Sequence, residues 1–224
     1  VTPKLVIFDC DGVLVDSEII SCREYAAVLT EHGYAISADQ VFARFLGRSA
    51  QDTRAEVEAE LGRSLPASFP DRLKDRLNAA FAAELQAIPH ISAALDALQQ
   101  PVCVASSGSH DKIAHSLRLV GLHQRFVPHI FSAADVARGK PAPDLFWHAA
   151  QRMGAAPADC VVIEDSVSGI LAARAAGMVA LGFCGGSHCG SGHGALLAQA
   201  GADQVFADMR QLAAIIDEFS LCQA

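Results

Sequence analysis

The strongest constraint on this chain is a set of short apolar runs with no polar alternation: Lys4–Phe8 (KLVIF), Pro101–Ala105 (PVCVA), Cys160–Ile163 (CVVI) and Val179–Phe183 (VALGF). A strand with one wet face alternates apolar and polar residues, whereas a strand covered on both faces reads as a continuous hydrophobic run. Helical spacing separates these runs. Helices are predicted over Ile91–Leu98, His110–Val120, Asp144–Met153, Val167–Ala176, Ala195–Ala200 and Met209–Phe219, with further short strands at Ile130–Phe131 and Val205–Phe206. Strand–helix alternation of this kind implies a parallel sheet packed between helices.

One stretch breaks the alternation. From residue 18 to 86 the chain carries helical patterns only: EIISCREYAAVLTEHG, ADQVFARFLG, SAQDTRAEVEAELG and DRLKDRLNAAFAAEL. Their ends carry Gly or Pro after, or Ser, Asp or Thr before, as helix termini prefer. The expectation is an all-helical insertion at 17–86 within a sheet domain made of 1–16 and 87–224. At 224 residues, a single sheet domain with an insertion fits the length.

Charge and hydropathy exclude several roles. A net charge of −8 argues against nucleic acid, which selects a basic face, and against anionic membrane surfaces. Residues 175–202 hold no Asp, Glu, Lys or Arg, but the sequence GGSHCGSGHG interrupts them. They read as strand, glycine-rich loop and helix rather than as a membrane span, which takes about 20 predominantly apolar residues. No secretory signal pattern opens the chain. Seven scattered cysteines, most of them within apolar runs, suit buried thiols in a reducing cytoplasm. A monomer is the expectation.

Ligands of open parallel sheets bind beyond the carboxyl ends of the strands. The first run is followed by Asp9 and Asp11, the second by Ser106 and Ser107, and the third by Glu164 and Asp165; a loop supplies Lys140. Four carboxylates in one crevice repel one another unless some are protonated or a cation joins them. A hard divalent ion with oxygen ligands, Mg²⁺ above all, answers that repulsion and commonly brings a substrate phosphate with it. A carboxylate can then attack phosphorus as a nucleophile, and a neighbouring acid can serve the leaving oxygen. The competing readings are structural: Ser106 as a helix N-cap, Glu164 and Asp165 as caps of the following helix, Lys140 as an exposed loop lysine, and Asp16 as a hinge.

The segments FDCDGVLVDSE, VASSGS, GKPAPDLF and VVIEDSVSGI resemble, in order and spacing, the four motifs of haloacid dehalogenase-like hydrolases, in the β-phosphoglucomutase-like and sugar-phosphate phosphatase branch. The resemblance spans essentially the whole chain. It implies an α/β, Rossmann-like three-layer core with an inserted helical cap, and a Mg²⁺-dependent phosphatase acting on a small phosphorylated metabolite. By the same resemblance Asp9 is the nucleophile and Asp11 the general acid/base. Ser106, Ser107 and Lys140 hold phosphate, and Asp9, Asp11, Asp165 and Glu164 serve the metal. The cap excludes water and selects the substrate.

Two departures bear on the activity. Where the mutases of this branch carry a cap histidine and a phosphate-gripping arginine, this chain has Ser21 and Ala50, which favours hydrolysis over a mutase cycle. The ARFLGRS segment offers Arg44 and Arg48 instead, as candidate contacts to the non-phosphorylated end of the substrate. Together with DCDGVLVDSE, this segment is similar to bacterial 6-phosphogluconate phosphatases, implying a sugar-acid phosphate. The alternatives are a phosphosugar mutase and a non-catalytic phospho-acceptor. Cys184, His188, Cys189 and His193 look like a metal-ligand set, but their spacing fits no zinc pattern and reads as a flexible loop.

Overall fold

The computed structural model describes residues 3–45 and 50–221. The chain divides into two compact units, residues 1–16 with 86–224, and residues 17–85.

The first unit is built on strands β1 (Leu5–Phe8), β2 (Val102–Ser106), β3 (Ile130–Ser132), β4 (Cys160–Glu164), β5 (Val179–Phe183) and β6 (Gln204–Phe206). Among the described residues these form a six-stranded sheet in the order β3-β2-β1-β4-β5-β6, with every neighbouring pair parallel. β1 and β4 are buried at every position, as the apolar runs LVIF and CVVI require, with Glu164 buried at the end of β4. Leu5 and Ile7 face one layer with Cys103, Ala105, Phe146 and Ile170. Side chains alternate along a strand, and Phe8 turns to the opposite layer, where its ring meets Phe126 edge-on at 6.1 Å between centroids. The order reverses direction about β1: the chain adds β2 and β3 on one side, then β4, β5 and β6 on the other. That reversal opens a crevice beyond the carboxyl ends of β2, β1 and β4.

The second unit contains α1 (Glu18–Glu31), α2 (Ala38–Phe45), α3 (Ala50–Leu61) and α4 (Phe69–Glu84). Its own core includes Val28, Leu29, Val41, Phe45, Val57 and Phe69. Charged residues knit the helices together: Glu24 accepts from Arg23 and Arg76, and Arg23 reaches Glu84.

The remaining helices belong to the first unit: α5 (Ile91–Ala97), α6 (His110–Leu119), α7 (His123–Phe126), α8 (Asp144–Met153), α9 (Val167–Ala175), α10 (His193–Gln199) and α11 (Leu212–Leu221). α7 has no counterpart in the sequence reading, because a single turn is too short to show a period. The closing helix starts as a 3-10 turn at Met209–Gln211 capped by Asp208, so α11 begins at Leu212. The uncharged stretch 175–202 is strand, loop and α10 as expected, and no described helix is long and apolar enough to cross a membrane.

Phe8 is fully buried between β1 and α7. Phe8→Ala should lower unfolding free energy by about 3–5 kcal/mol, the range for a buried phenylalanine truncated to alanine. Urea unfolding followed by circular dichroism measures it; a loss below about 1 kcal/mol would mean that this layer is not closely packed.

Candidate active site

β1 delivers Asp9 at the sheet edge, where its N–H donates to the Ile163 carbonyl (3.0 Å) and so continues the register with β4 for one residue beyond the strand. The chain then turns sharply. Gly12 has φ +77°, and its N–H donates to the Val15 carbonyl (2.8 Å). A Cβ on Gly12 would lie 1.9 Å from Asp165 Oδ2 and 2.9 Å from His188 Cε1. Glycine is therefore required here twice, for the left-handed backbone and for the space the Asp165 carboxylate occupies.

Lys140 is the centre of the site. Its side chain is 3 % exposed. Nζ donates to Asp9 Oδ1 (2.6 Å), Glu164 Oε1 (2.7 Å) and the Ala105 carbonyl (2.9 Å), which uses all three ammonium protons. Nζ also lies 5.0 Å from the Phe146 ring centroid. Burial alone would discharge this lysine. The Asp9 and Glu164 carboxylates outweigh it and raise the ammonium above its ordinary range, so Lys140 stays charged.

The carboxylates have different protein partners. Glu164 gives Oε1 to Lys140, while Oε2 accepts from Ser166 N (3.0 Å) and Ser166 Oγ (2.9 Å). It is 1 % exposed, and a Cβ on Gly169 would fall 1.8 Å from its Cδ. Its carboxylate is engaged by Lys140 and by the turn into α9. Asp11 Oδ2 pairs with Lys112 Nζ (2.8 Å). Asp165 Oδ2 lies 2.9 Å from His188 Nε2, and the Asp165 carbonyl accepts from His193 Nε2 (2.6 Å).

The capping roles fall to other residues. Ser109 caps α6 and Ser166 caps α9 through its hydroxyl. Ser106 is 1 % exposed, its Oγ accepting from Gly108 N (3.2 Å), while Ser107 is exposed on the same loop. Asp16 Oδ1 accepts from Ser187 N (3.1 Å) and Oγ (2.8 Å), tying the end of the first segment to the loop after β5.

Burial raises the Asp9 carboxyl well above the ordinary range, and Glu164, Asp165 and Asp11 push it further against the opposing pull of Lys140. Burial and then Glu164 do the same to Asp165. With all four ionised, Asp9, Asp11, Glu164 and Asp165 would exceed Lys140 and Lys112 by two negative charges. That excess, carried on oxygen donors, matches a hard divalent cation. Asp9, Asp11 and Asp165 are the residues fitted to hold one.

Two expectations from the helical unit fare differently. Arg44 donates to Tyr34 Oη, Glu56 and Glu60, and its guanidinium lies 4.8 Å from the Phe45 ring centroid. Arg44, expected as a substrate contact, makes these contacts within its own unit. Arg48 lies outside the described residues. The loop after β5 packs at the same sheet edge. His188 is buried and packed against Asp165, with Cys189 Sγ 3.3 Å from its Nε2 and the His193 ring edge-on at 5.4 Å. Burial lifts the Cys189 thiol to about 12. Lys112 carries no motif; its sequence signal is that it follows β2 at the same sheet edge.

Comparison with known proteins agrees with this geometry. The family model for haloacid dehalogenase-like hydrolases matches residues 3–177. The chain is similar to the 6-phosphogluconate phosphatase of Escherichia coli K12, 35% identical over 186 residues that cover 83% of this chain and 84% of that protein. A haloacid dehalogenase-like protein of unknown function from Agrobacterium tumefaciens C58 superposes with a TM-score of 0.84 at 42% identity, covering 97% of this chain and 99% of that one. A hydrolase from Deinococcus radiodurans R1, whose crystal structure has bound phosphate and sodium, gives 0.77 at 34% identity, covering 98% and 97%.

The charge balance predicts opposite effects for two substitutions in metal-free protein. Lys140→Ala leaves Asp9 and Glu164 buried and unpaired and should cost about 3–5 kcal/mol. Asp165→Asn relieves repulsion and should raise Tm by about 2–4 °C, equivalent to about 1 kcal/mol in a chain of this size. Wild-type protein should gain Tm on Mg²⁺ addition and Asp165→Asn should not. Scanning calorimetry reads all three; a Mg²⁺ shift that survives in Asp165→Asn would remove Asp165 from the metal site.

Proposed function

Because the chain belongs to the haloacid dehalogenase-like hydrolases, we propose that it is a Mg²⁺-dependent phosphatase hydrolysing a small sugar phosphate or sugar-acid phosphate through an aspartyl-phosphate. One observation carries this reading: Lys140 bridges Asp9 and Glu164 beside Asp11, Ser106 and Asp165, where three adjacent parallel strands end. The similarity to a 6-phosphogluconate phosphatase and to a phosphate-binding hydrolase supports the substrate class.

In this reading the Asp9 and Asp165 carboxylates and the Asp11 backbone carbonyl would hold a metal, which when bound would supply charge neutralisation at the phosphoryl oxygens. Lys140 adds a second fixed positive charge and holds Asp9 by Oδ1, so that the carboxylate meets phosphorus with its other oxygen. Ser106 Oγ and the backbone of the Ser107 turn receive the remaining phosphoryl oxygens. The new Asp9–phosphorus bond forms as the ester oxygen–phosphorus bond breaks, and Asp11 gives its proton to the departing alcohol. Asp11, now a base held by Lys112, takes a proton from water. That water attacks phosphorus, the acyl-phosphate bond breaks, and Asp9 and inorganic phosphate are released with Asp11 protonated again. Glu164 is a positioning residue for Lys140.

A phosphate-release screen over sugar and sugar-acid phosphates tests the reading. Turnover should require Mg²⁺, vanish with chelator and return on Mg²⁺ addition. Asp9→Asn should lose at least ~10³-fold in kcat while remaining folded, as expected for removal of a nucleophile. Mg²⁺-dependent hydrolysis of an aryl phosphate by Asp9→Asn, or a screen with no turnover at all, would overturn it.

A further inference from the structure

The loop between β5 and α10 holds a second set of metal-ligand side chains that the phosphatase chemistry does not use. His188, Cys189 and His193 each offer one donor atom, and these atoms lie within 4.8 Å of one another. Cys189 Sγ and Asp165 Oδ2 lie on either hand of the same nitrogen, His188 Nε2, at 3.3 and 2.9 Å. Bonds of about 2.0–2.3 Å from zinc place tetrahedral donors roughly 3.3–3.7 Å apart. The Cys189–His188 spacing therefore comes close to that of a zinc shell, with His193 supplying a second nitrogen within 4.8 Å. The His188 side chain is fully buried, whereas Cys189 and His193 are only partly so, which leaves a path for an ion to enter.

Donor softness separates this set from its neighbour. Asp9 and Asp11 offer oxygen alone and suit Mg²⁺, while a thiolate with imidazoles suits zinc-like ions. Asp165 stands between the two groups. It is a candidate ligand of the first site, and its side chain and carbonyl are held by the very histidines of the second.

We propose that His188, Cys189 and His193 bind a soft divalent transition metal of the Zn²⁺ class, and that the bound ion draws the Asp165 carboxylate away from the catalytic cation. Binding expels the thiol proton to solvent and breaks the His188–Asp165 contact, and the freed Asp165 carboxylate turns toward the ion. An occupied loop site is therefore inhibitory. The inhibition rests on the phosphatase reading; the binding site does not.

Co²⁺, which takes tetrahedral zinc sites and reports on its ligands, separates the two parts. Metal-stripped, reduced full-length protein titrated with Co²⁺ should develop a thiolate-to-cobalt charge-transfer band that saturates at one equivalent and disappears when Zn²⁺ displaces the cobalt. Cys189→Ser should lack that band, keep its Mg²⁺-dependent phosphatase activity and require at least ~10-fold more Zn²⁺ for half-inhibition. Zinc or cobalt held by the carboxylates alone would bind without the band, and this would overturn the site. A band retained in Cys189→Ser would overturn the ligand assignment. Equal Zn²⁺ sensitivity of the two proteins would overturn the coupling through Asp165. An inactive protein that still shows the band would sink the phosphatase reading and leave the metal site standing.

Discussion

Everything in the site turns on one buried ammonium. Lys140 sits where three strand ends converge, its protons divided among Asp9, Glu164 and the Ala105 carbonyl. A charge of this kind is costly to bury and stays only because its partners complete its hydrogen-bonding shell. The same contacts bind three strands into one arrangement: β1 through Asp9, β2 through Ala105 and β4 through Glu164. The lysine reaches them from the loop before α8, above the Phe146 ring. Its position follows from the parallel sheet, whose carboxyl edge is where the chain leaves each strand.

Around this centre the acids have unequal duties. Glu164 is enclosed, with protein donors on both oxygens, and Gly169 is a glycine because a Cβ would collide with it. Asp9, Asp11 and Asp165 remain with more negative charge than the two lysines balance. Burial makes that excess costly, and it is the physical reason a divalent cation suits the site. Gly12 shows the same economy of space: its missing side chain leaves the volume that Asp165 fills. Motif glycines and motif acids are thus two sides of one packing problem.

The residues of the candidate site are legible in the sequence because each ends an apolar strand or lies in a short local motif. Asp9, Asp11, Ser106, Lys140, Glu164 and Asp165 all fall within the same crevice unit. What local pattern could not reveal was the partner of each. Glu164 and Asp165 are adjacent in sequence, yet one holds Lys140 and the other meets His188. Arg44 looked available on a helix face, but Tyr34, Glu56 and Glu60 converge on it from elsewhere in the helical unit. The loop of His188, Cys189 and His193 matched no ligand spacing, since its donors meet through a turn rather than along a regular element.

The sequence by itself determined the sheet and its contents, because hydrophobic period and strand-end chemistry are local properties read from neighbouring residues. It determined as well that a helical segment interrupts the chain after the first strand, since periodicity needs no partner. Only the tertiary structure decided which carboxylate answers which cation, and that a loop distant in sequence packs its histidine onto Asp165. Those outcomes depend on which groups are brought within about 3 Å of one another. Over 101 residues for Lys112 and Asp11, or 131 for Lys140 and Asp9, that proximity is set by strand order and packing, and no local pattern encodes it.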